Sequence, residues 1–252
     1  MLRTAIIVPC HNESQRLKIQ EFTTYLEKNK DVFFVFVNDG STDGTIKLLN
    51  EMRYCNPSQV DVINCSTNKG KSEAVRSGFL KTLPKDFDYI GYWDADLSTP
   101  LSTIEKFKEI LNSSSLFMVA GSRVKLLGKR IERKMLRHYL GRLFATFASL
   151  VLDIEIYDTQ CGAKLFRKNC LLDQIFTPPF KVNWAFDVEI FARLKFLIKQ
   201  NDLLPIEEIV VEYPLDEWLH VSGSKVRWRD FFIGIYEIII IYLNKNSFFN
   251  DN

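Results

Sequence analysis

The first 125 residues alternate short runs of β-branched and aromatic residues with longer stretches of helical spacing, and this alternation constrains the fold more than any other feature. It is the signature of an α/β fold with a mainly parallel sheet. Strands are expected at Ala5 to Val8, Phe33 to Val37, Val60 to Asn64, Tyr89 to Trp93 and Phe117 to Gly121. Helices fall between them, at Ser14 to Lys28, Gly44 to Tyr54, Lys71 to Thr82 and Thr99 to Asn112. The strand runs are apolar without interruption, which calls for helices covering both faces of the sheet. Beyond residue 122 the pattern changes to long helices with further strands near Ala163 to Phe166 and Ile206 to Val211. No linker or repeat separates the halves, so one domain over residues 1–228 is expected, followed by an amphipathic helix and tail over 229–252.

A chain of 252 residues, 46% hydrophobic and 25% charged, buries a full core. Its net charge of +2 gives no bulk electrostatic argument for nucleic acid, and no nucleic-acid partner is expected. The five cysteines, Cys10, Cys55, Cys65, Cys161 and Cys170, are odd in number and lack CxxC spacing. Neither a disulfide framework nor a zinc site is indicated, and reduced thiols in a cytoplasmic setting are expected. The apolar run Ala5 to Pro9 is too short for a signal sequence, and no stretch reaches the ~18 apolar residues of a spanning helix.

In open α/β sheets ligands bind beyond the carboxyl ends of the strands, and the unusual residues of this chain cluster there. Pro9-Cys10-His11-Asn12-Glu13 follows the first strand, Asn38-Asp39-Gly40-Ser41 the second, Asn68-Lys69-Gly70-Lys71 the third and Asp94-Ala95-Asp96 the fourth. Two carboxylates beside an apolar strand need partners, and a hard divalent cation with oxygen ligands, Mg²⁺ or Mn²⁺, supplies them. Taken alone, Asp96 serves equally well as a cap for the following helix. Asn12 and Asp39-Gly40 likewise fit a cap and a turn. An ordered set of four such loops on one sheet edge is a site.

Cys65-Ser66-Thr67-Asn68-Lys69-Gly70-Lys71-Ser72 comes close to the GxxxxGK[ST] phosphate loop. Cys65 stands where that loop needs the freedom of glycine, and two polar loops precede it that a nucleoside triphosphatase leaves unexplained. Lys71 at a helix start still suits a diphosphate.

Together, Ile6-Ile7-Val8-Pro9-Cys10-His11-Asn12-Glu13, Val37-Asn38-Asp39-Gly40-Ser41-Thr42-Asp43-Gly44-Thr45, Asn68-Lys69-Gly70-Lys71 and Asp94-Ala95-Asp96 resemble the inverting family 2 glycosyltransferases of GT-A fold, a Rossmann-like sheet flanked by helices. Asp158-Thr159-Gln160-Cys161-Gly162-Ala163-Lys164-Leu165-Phe166, Trp184-Ala185-Phe186-Asp187-Val188-Glu189 and Trp218 with Gly223-Ser224-Lys225 resemble the dolichyl- and polyprenyl-phosphate sugar transferases of that family. His220 stands where those relatives commonly carry an acid. The resemblance implies an enzyme that transfers a sugar, with glucose from UDP-glucose favoured, to a lipid phosphate. It places Pro9, Asn12, Glu13, Asp39, Lys71, Asp94 and Ala95 around the nucleotide-sugar donor and gives the metal to Asp94 and Asp96. The alternatives are the same fold acting on a glycan or protein hydroxyl, and a non-catalytic nucleotide-sugar-binding protein.

The acceptor decides which further groups are needed. A phosphate monoester, with a second pKa of about 6, is largely dianionic near neutrality and needs cations rather than a base. Arg123, Lys164 and Lys225, with Arg167 in support, are the candidates. A hydroxyl acceptor needs a carboxylate base instead, for which Asp187, then Asp158 or Glu189, are available. Between Arg123 and Arg142 eight basic residues face one acid, Glu132, and lead into the apolar run Leu143 to Leu152. With the apolar run Phe231 to Leu243 this suits an in-plane anchor, hence peripheral attachment to the cytoplasmic face of a membrane. Core or homo-oligomer helices read the same way.

Overall fold

The computed structural model describes residues 2–132, 135–219, 221, 228–244 and 248, with the side chains of 135–138 and 228–229 left aside. Nine strands and nine helices are assigned among the described residues. The strands are β1 (Thr4–Cys10), β2 (Val32–Asp39), β3 (Val60–Cys65), β4 (Tyr89–Trp93), β5 (Met118–Ser122), β6 (Arg130–Ile131), β7 (Ala163–Arg167), β8 (Val210–Pro214) and β9 (Glu217–Trp218). The helices are α1 (Ile19–Lys28), α2 (Thr45–Cys55), α3 (Lys71–Thr82), α4 (Thr103–Asn112), α5 (Met135–Leu152), α6 (Cys170–Phe176), α7 (Phe186–Gln200), α8 (Ile206–Ile209) and α9 (Trp228–Asn244).

Seven strands form one sheet in the order β3-β2-β1-β4-β7-β5-β8, and β6 pairs with β9 beside it. The sheet is parallel except for β7, which runs antiparallel between β4 and β5. The five expected strands and four expected helices of the first half all form. Two helices start later than the sequence pattern suggests. Residues 14–16 are a turn in which the Arg16 and Leu17 N–H groups donate to the Glu13 carbonyl, so α1 opens only at Ile19. Pro100 disfavours helical backbone at Thr99, and α4 opens at Thr103.

Alternate residues of the central strands feed two cores. Ala5, Ile7, Val35, Val37, Ile90 and Tyr92 face the layer that includes residues of α3, α5, α6, α7 and α9. Ile6, Val8, Phe34, Phe36, Tyr89 and Trp93 face the layer of α1, α2 and α4. Period-two side-chain alternation thus divides a continuously apolar strand between two buried faces. The C-terminal α9 joins the first layer through fully buried Ile238 and Ile241.

Phe79 is the hub of that layer, stacked on Phe176 with ring centroids 3.5 Å apart and edge-on to Phe166 at 5.9 Å. Truncating Phe79→Ala is expected to cost about 3–5 kcal/mol through lost burial and a cavity, read as a lower urea midpoint.

Candidate functional site

Because β7 runs against its neighbours, the carboxyl ends of β1 to β5 share one sheet edge with the first residue of β7, Ala163. The chain segments before and after these points make the site.

Polar side chains bond the loops after β1, β2 and β3 to one another. Asn12, at φ 51°, accepts the Thr42 N–H on its side-chain oxygen at 2.8 Å and donates its own N–H to Ser41 Oγ at 2.9 Å. His11 Nδ1 lies 2.8 Å from the Asp39 carbonyl, which only accepts, so Nδ1 carries the proton and Nε2 accepts from the Asn68 amide at 3.0 Å. Glu13 is buried in a two-point pairing with Arg16, at 2.9 and 2.6 Å, and Pro9 lies half-buried opposite Val37. Each oxygen of Asp39 accepts one backbone N–H, from Lys69 and from Gly70, both at 2.8 Å. These amides lie within the segment that resembles a phosphate loop. Asp39 holds them, and the segment is a braced turn rather than an open cradle.

Gly70 ends that turn at φ 94°, where a side chain is strained. Lys71 then opens α3 and places Nζ 2.7 Å from Asp94 Oδ1. Desolvation disfavours this ammonium, but attraction first to Asp94, then to Asp187 and Asp96, outweighs it and raises the Lys71 pKa.

Asp94 and Asp96 follow β4, and the Asp94 carboxylate occupies space that exists only because residue 162 is glycine. A Cβ on Gly162 would collide with that carboxylate, and the Gly162 carbonyl accepts the Asp94 N–H at 2.9 Å. Asp96 accepts the Ser98 N–H at 3.0 Å, so the turn-forming role is realised as well. Burial and then repulsion by Asp94 raise the Asp96 pKa. A cation relieves two carboxylates placed in this way. No cluster of three or more His, Cys, Asp or Glu suited to a metal occurs among the described residues. A pair of carboxylates fits Mg²⁺ or Mn²⁺ when substrate phosphates and water complete the shell. The Ala95 side chain packs into the second core, leaving its backbone as the part that borders the site.

The opposite wall centres on Asp187, in the first turn of α7 and buried. Its Oδ1 accepts from Lys164 Nζ at 2.5 Å and from the Tyr92 hydroxyl. Burial and the neighbouring carboxylate push the Tyr92 pKa well up, so it stays a donor. Lys164 is a correction to the sequence expectation. Its ammonium is fully buried and donates to the Thr159 carbonyl at 2.9 Å, the Cys161 carbonyl at 2.7 Å and Asp187, which leaves no proton for an acceptor phosphate. Asp158 is another correction as a base. Arg123 grips it in a fork, Nε to Oδ2 at 2.6 Å and Nη2 to Oδ1 at 2.7 Å, while the guanidinium lies 5.6 Å from the Trp218 ring centroid.

Arg167 and Glu189 fall outside the site. Antiparallel β7 carries Arg167 to the far edge of the sheet, where its guanidinium donates to the carbonyls of Leu111, Ser114 and Leu116. Glu189 is fully buried against Arg193 and accepts the Lys181 and Val182 N–H groups. Lys225 and His220 lie outside the described residues. Sequence reasoning missed Tyr92, which reads as one more core aromatic, and Gly162, which reads as a turn residue.

The family model described as Glycosyl transferase family 2 matches residues 5–173. The chain is 31% identical over 242 residues to a dolichyl-phosphate beta-glucosyltransferase of Saccharomyces cerevisiae, covering 88% of this chain and 68% of that protein. It is also 31% identical over 239 residues to the Homo sapiens protein of that name, covering 88% and 69%. In fold it resembles GT-A glycosyltransferases. One is glucosyl-3-phosphoglycerate synthase from Mycobacterium tuberculosis, solved with Mn²⁺, UDP-glucose and phosphoglyceric acid, at TM-score 0.66, 14% identity and coverage of 98% and 80%. Another is a mannosyltransferase from Pyrobaculum calidifontis with GDP-Man and Mn²⁺, at TM-score 0.63, 16% identity and coverage of 99% and 65%.

Lys164→Met leaves Asp187 buried without its cation and is expected to cost about 3–5 kcal/mol in urea denaturation. The double variant Lys164→Met/Asp187→Asn, with no uncompensated charge, is expected to regain part of that loss.

Proposed function

This chain belongs to glycosyl transferase family 2 and is a glycosyltransferase, and from that premise we propose that it transfers glucose from UDP-glucose, with inversion, to dolichyl or another polyprenyl phosphate. The observation that carries the reading is that Lys71 pairs with Asp94 at 2.7 Å and lies 5.8 Å from the ring centroid of Phe186, next to Asp187, so that three distant segments share one sheet edge. Asp94 and Asp96 would hold Mg²⁺ or Mn²⁺, which would supply Lewis-acid stabilisation of the departing nucleotide. Lys71 sits beside them as a fixed cation for the diphosphate.

The chemistry of Asp187 favours a phosphate acceptor over a hydroxyl. One of its oxygens already accepts from both Lys164 and Tyr92, so only Oδ2 is left to take a substrate proton. A lipid phosphate arrives without a proton to remove, and its charge calls for a cation such as Arg123, oriented by Asp158 at the end of β5. The names of the curated relatives support the same acceptor and sugar.

Attachment to the cytoplasmic face of a membrane, by helices lying in its plane, is part of the reading. No described helix is long and apolar enough to cross a membrane. Phe232, Tyr236, Ile239 and Leu243 are exposed at helical spacing along α9, and Tyr139, Leu143 and Leu150 along α5, the helix it packs on. Apolar stripes with tyrosines, preceded in sequence by the basic segment Arg123 to Arg142, suit an anionic leaflet.

Asp94→Asn or Asp96→Asn is expected to lower glucose transfer at least about hundredfold. EDTA is expected to abolish transfer, with Mn²⁺ or Mg²⁺ restoring it, measured with labelled UDP-glucose and polyprenyl phosphate. Glucose appearing only on a soluble sugar hydroxyl overturns the acceptor. The protein is expected to float with anionic liposomes at low salt, and Phe232→Ser/Leu243→Ser to weaken that flotation. A chain that stays wholly unbound overturns the membrane contact.

A further inference from the structure

We propose that Asn183 is a positioning residue of the donor site, which holds the first turn of α3, and with it Lys71, at a set separation from Asp187. The inference rests on the donor reading above.

Asn183 lies in the loop between α6 and α7, four residues before Asp187. Its Oδ1 accepts the Ser72 hydroxyl at 2.8 Å, and Ser72 directly follows Lys71. Its side-chain amide lies flush against Gly70, so closely that a Cβ on that glycine would collide with it. The same loop is fastened from the other side by α9, where the Glu237 carboxylate accepts the Asn183 N–H at 3.3 Å and the Ala185 N–H at 2.7 Å. One short loop therefore touches the start of α3, the start of α7 and the C-terminal helix.

The turn ahead of Lys71 needs such a support. Gly70, at φ 94°, adds little stiffness to that turn, and the restraints from Asp39 and from Asn68 Oδ1, which accepts the Gly70 N–H at 2.9 Å, act only on its backbone amides. Asn183 supplies the restraint from the α7 side. Lys71 belongs to the diphosphate end of the donor and Asp187 to the end where the sugar is transferred. Their separation thus sets how the bound donor presents its anomeric carbon, and small displacements there cost much in rate and affinity.

The test is calorimetric binding of UDP-glucose with Mn²⁺ to the parent, Asn183→Ala, Ser72→Ala and the double variant, alongside KM and kcat for transfer. Each single variant is expected to raise the donor Kd about tenfold, and the double no further than Asn183→Ala, because Ser72→Ala removes only a hydrogen bond that Asn183→Ala already removes. KM for the donor is expected to rise in step. Ser72→Ala keeps the packing on Gly70 and serves where Asn183→Ala fails to fold. An unchanged Kd in the folded single variants, or effects that multiply in the double, overturns the inference alone. A parent that binds no UDP-glucose overturns the donor reading and the inference with it.

Discussion

The buried pairing of Lys164 with Asp187, joined by the Tyr92 hydroxyl, is the interaction on which the rest of the site depends. It links β7, α7 and β4 at a point with almost no access to water. Two ions in such a place are tolerable only when well partnered: the ammonium donates to two carbonyls and a carboxylate, and one oxygen of that carboxylate accepts from both the ammonium and a phenol. The cost of separating them ties the antiparallel strand β7 to α7. Loss of either ion would loosen the wall of the site before it changed the chemistry.

The second organising theme is that charged groups at this sheet edge are used first to shape backbone. Asp39 holds the turn before α3, Glu13 engages Arg16, Asp158 holds Arg123, and Glu237 holds the loop before α7. Glu212 does the same beneath Asp158, accepting the Tyr157 and Asp158 N–H groups at 2.7 and 2.8 Å. The charges proposed to meet substrate are a small group: the Asp94 and Asp96 carboxylates, the Lys71 ammonium, Asp187 and the Arg123 guanidinium. Preorganisation of this kind presents a ligand with fixed charges rather than mobile ones.

Much of the fold is legible because the strands of the first half, β3 with its Asp61 apart, are apolar on both faces and end abruptly in polar residues. Asp94 and Asp96 stood out for that reason. Lys164, Arg167, Asp158 and Glu189 were assigned from resemblance and residue type, and the structure gives each a buried or bridging task instead. Strand direction is the reason for the first two. A strand inserted antiparallel sends Lys164 inward near the site and Arg167 to the remote edge, and nothing in a five-residue apolar run reveals its direction. Tyr92 and Gly162 carry no functional signal in the sequence because a tyrosine in a strand and a glycine in a turn have common structural uses.

The amino-acid sequence alone determined the α/β layering, the positions of the first five strands and the row of polar loops along one edge. Those features follow from local periodicity and from the cost of burying polar groups, both of which act on neighbouring residues. The tertiary structure alone decided which charges pair, which face the site, and how α9 reaches the start of α7. These depend on contacts between segments about 50 to more than 100 residues apart, such as Ser72 with Asn183 and Glu237 with Ala185, whose geometry arises only when the sheet is assembled.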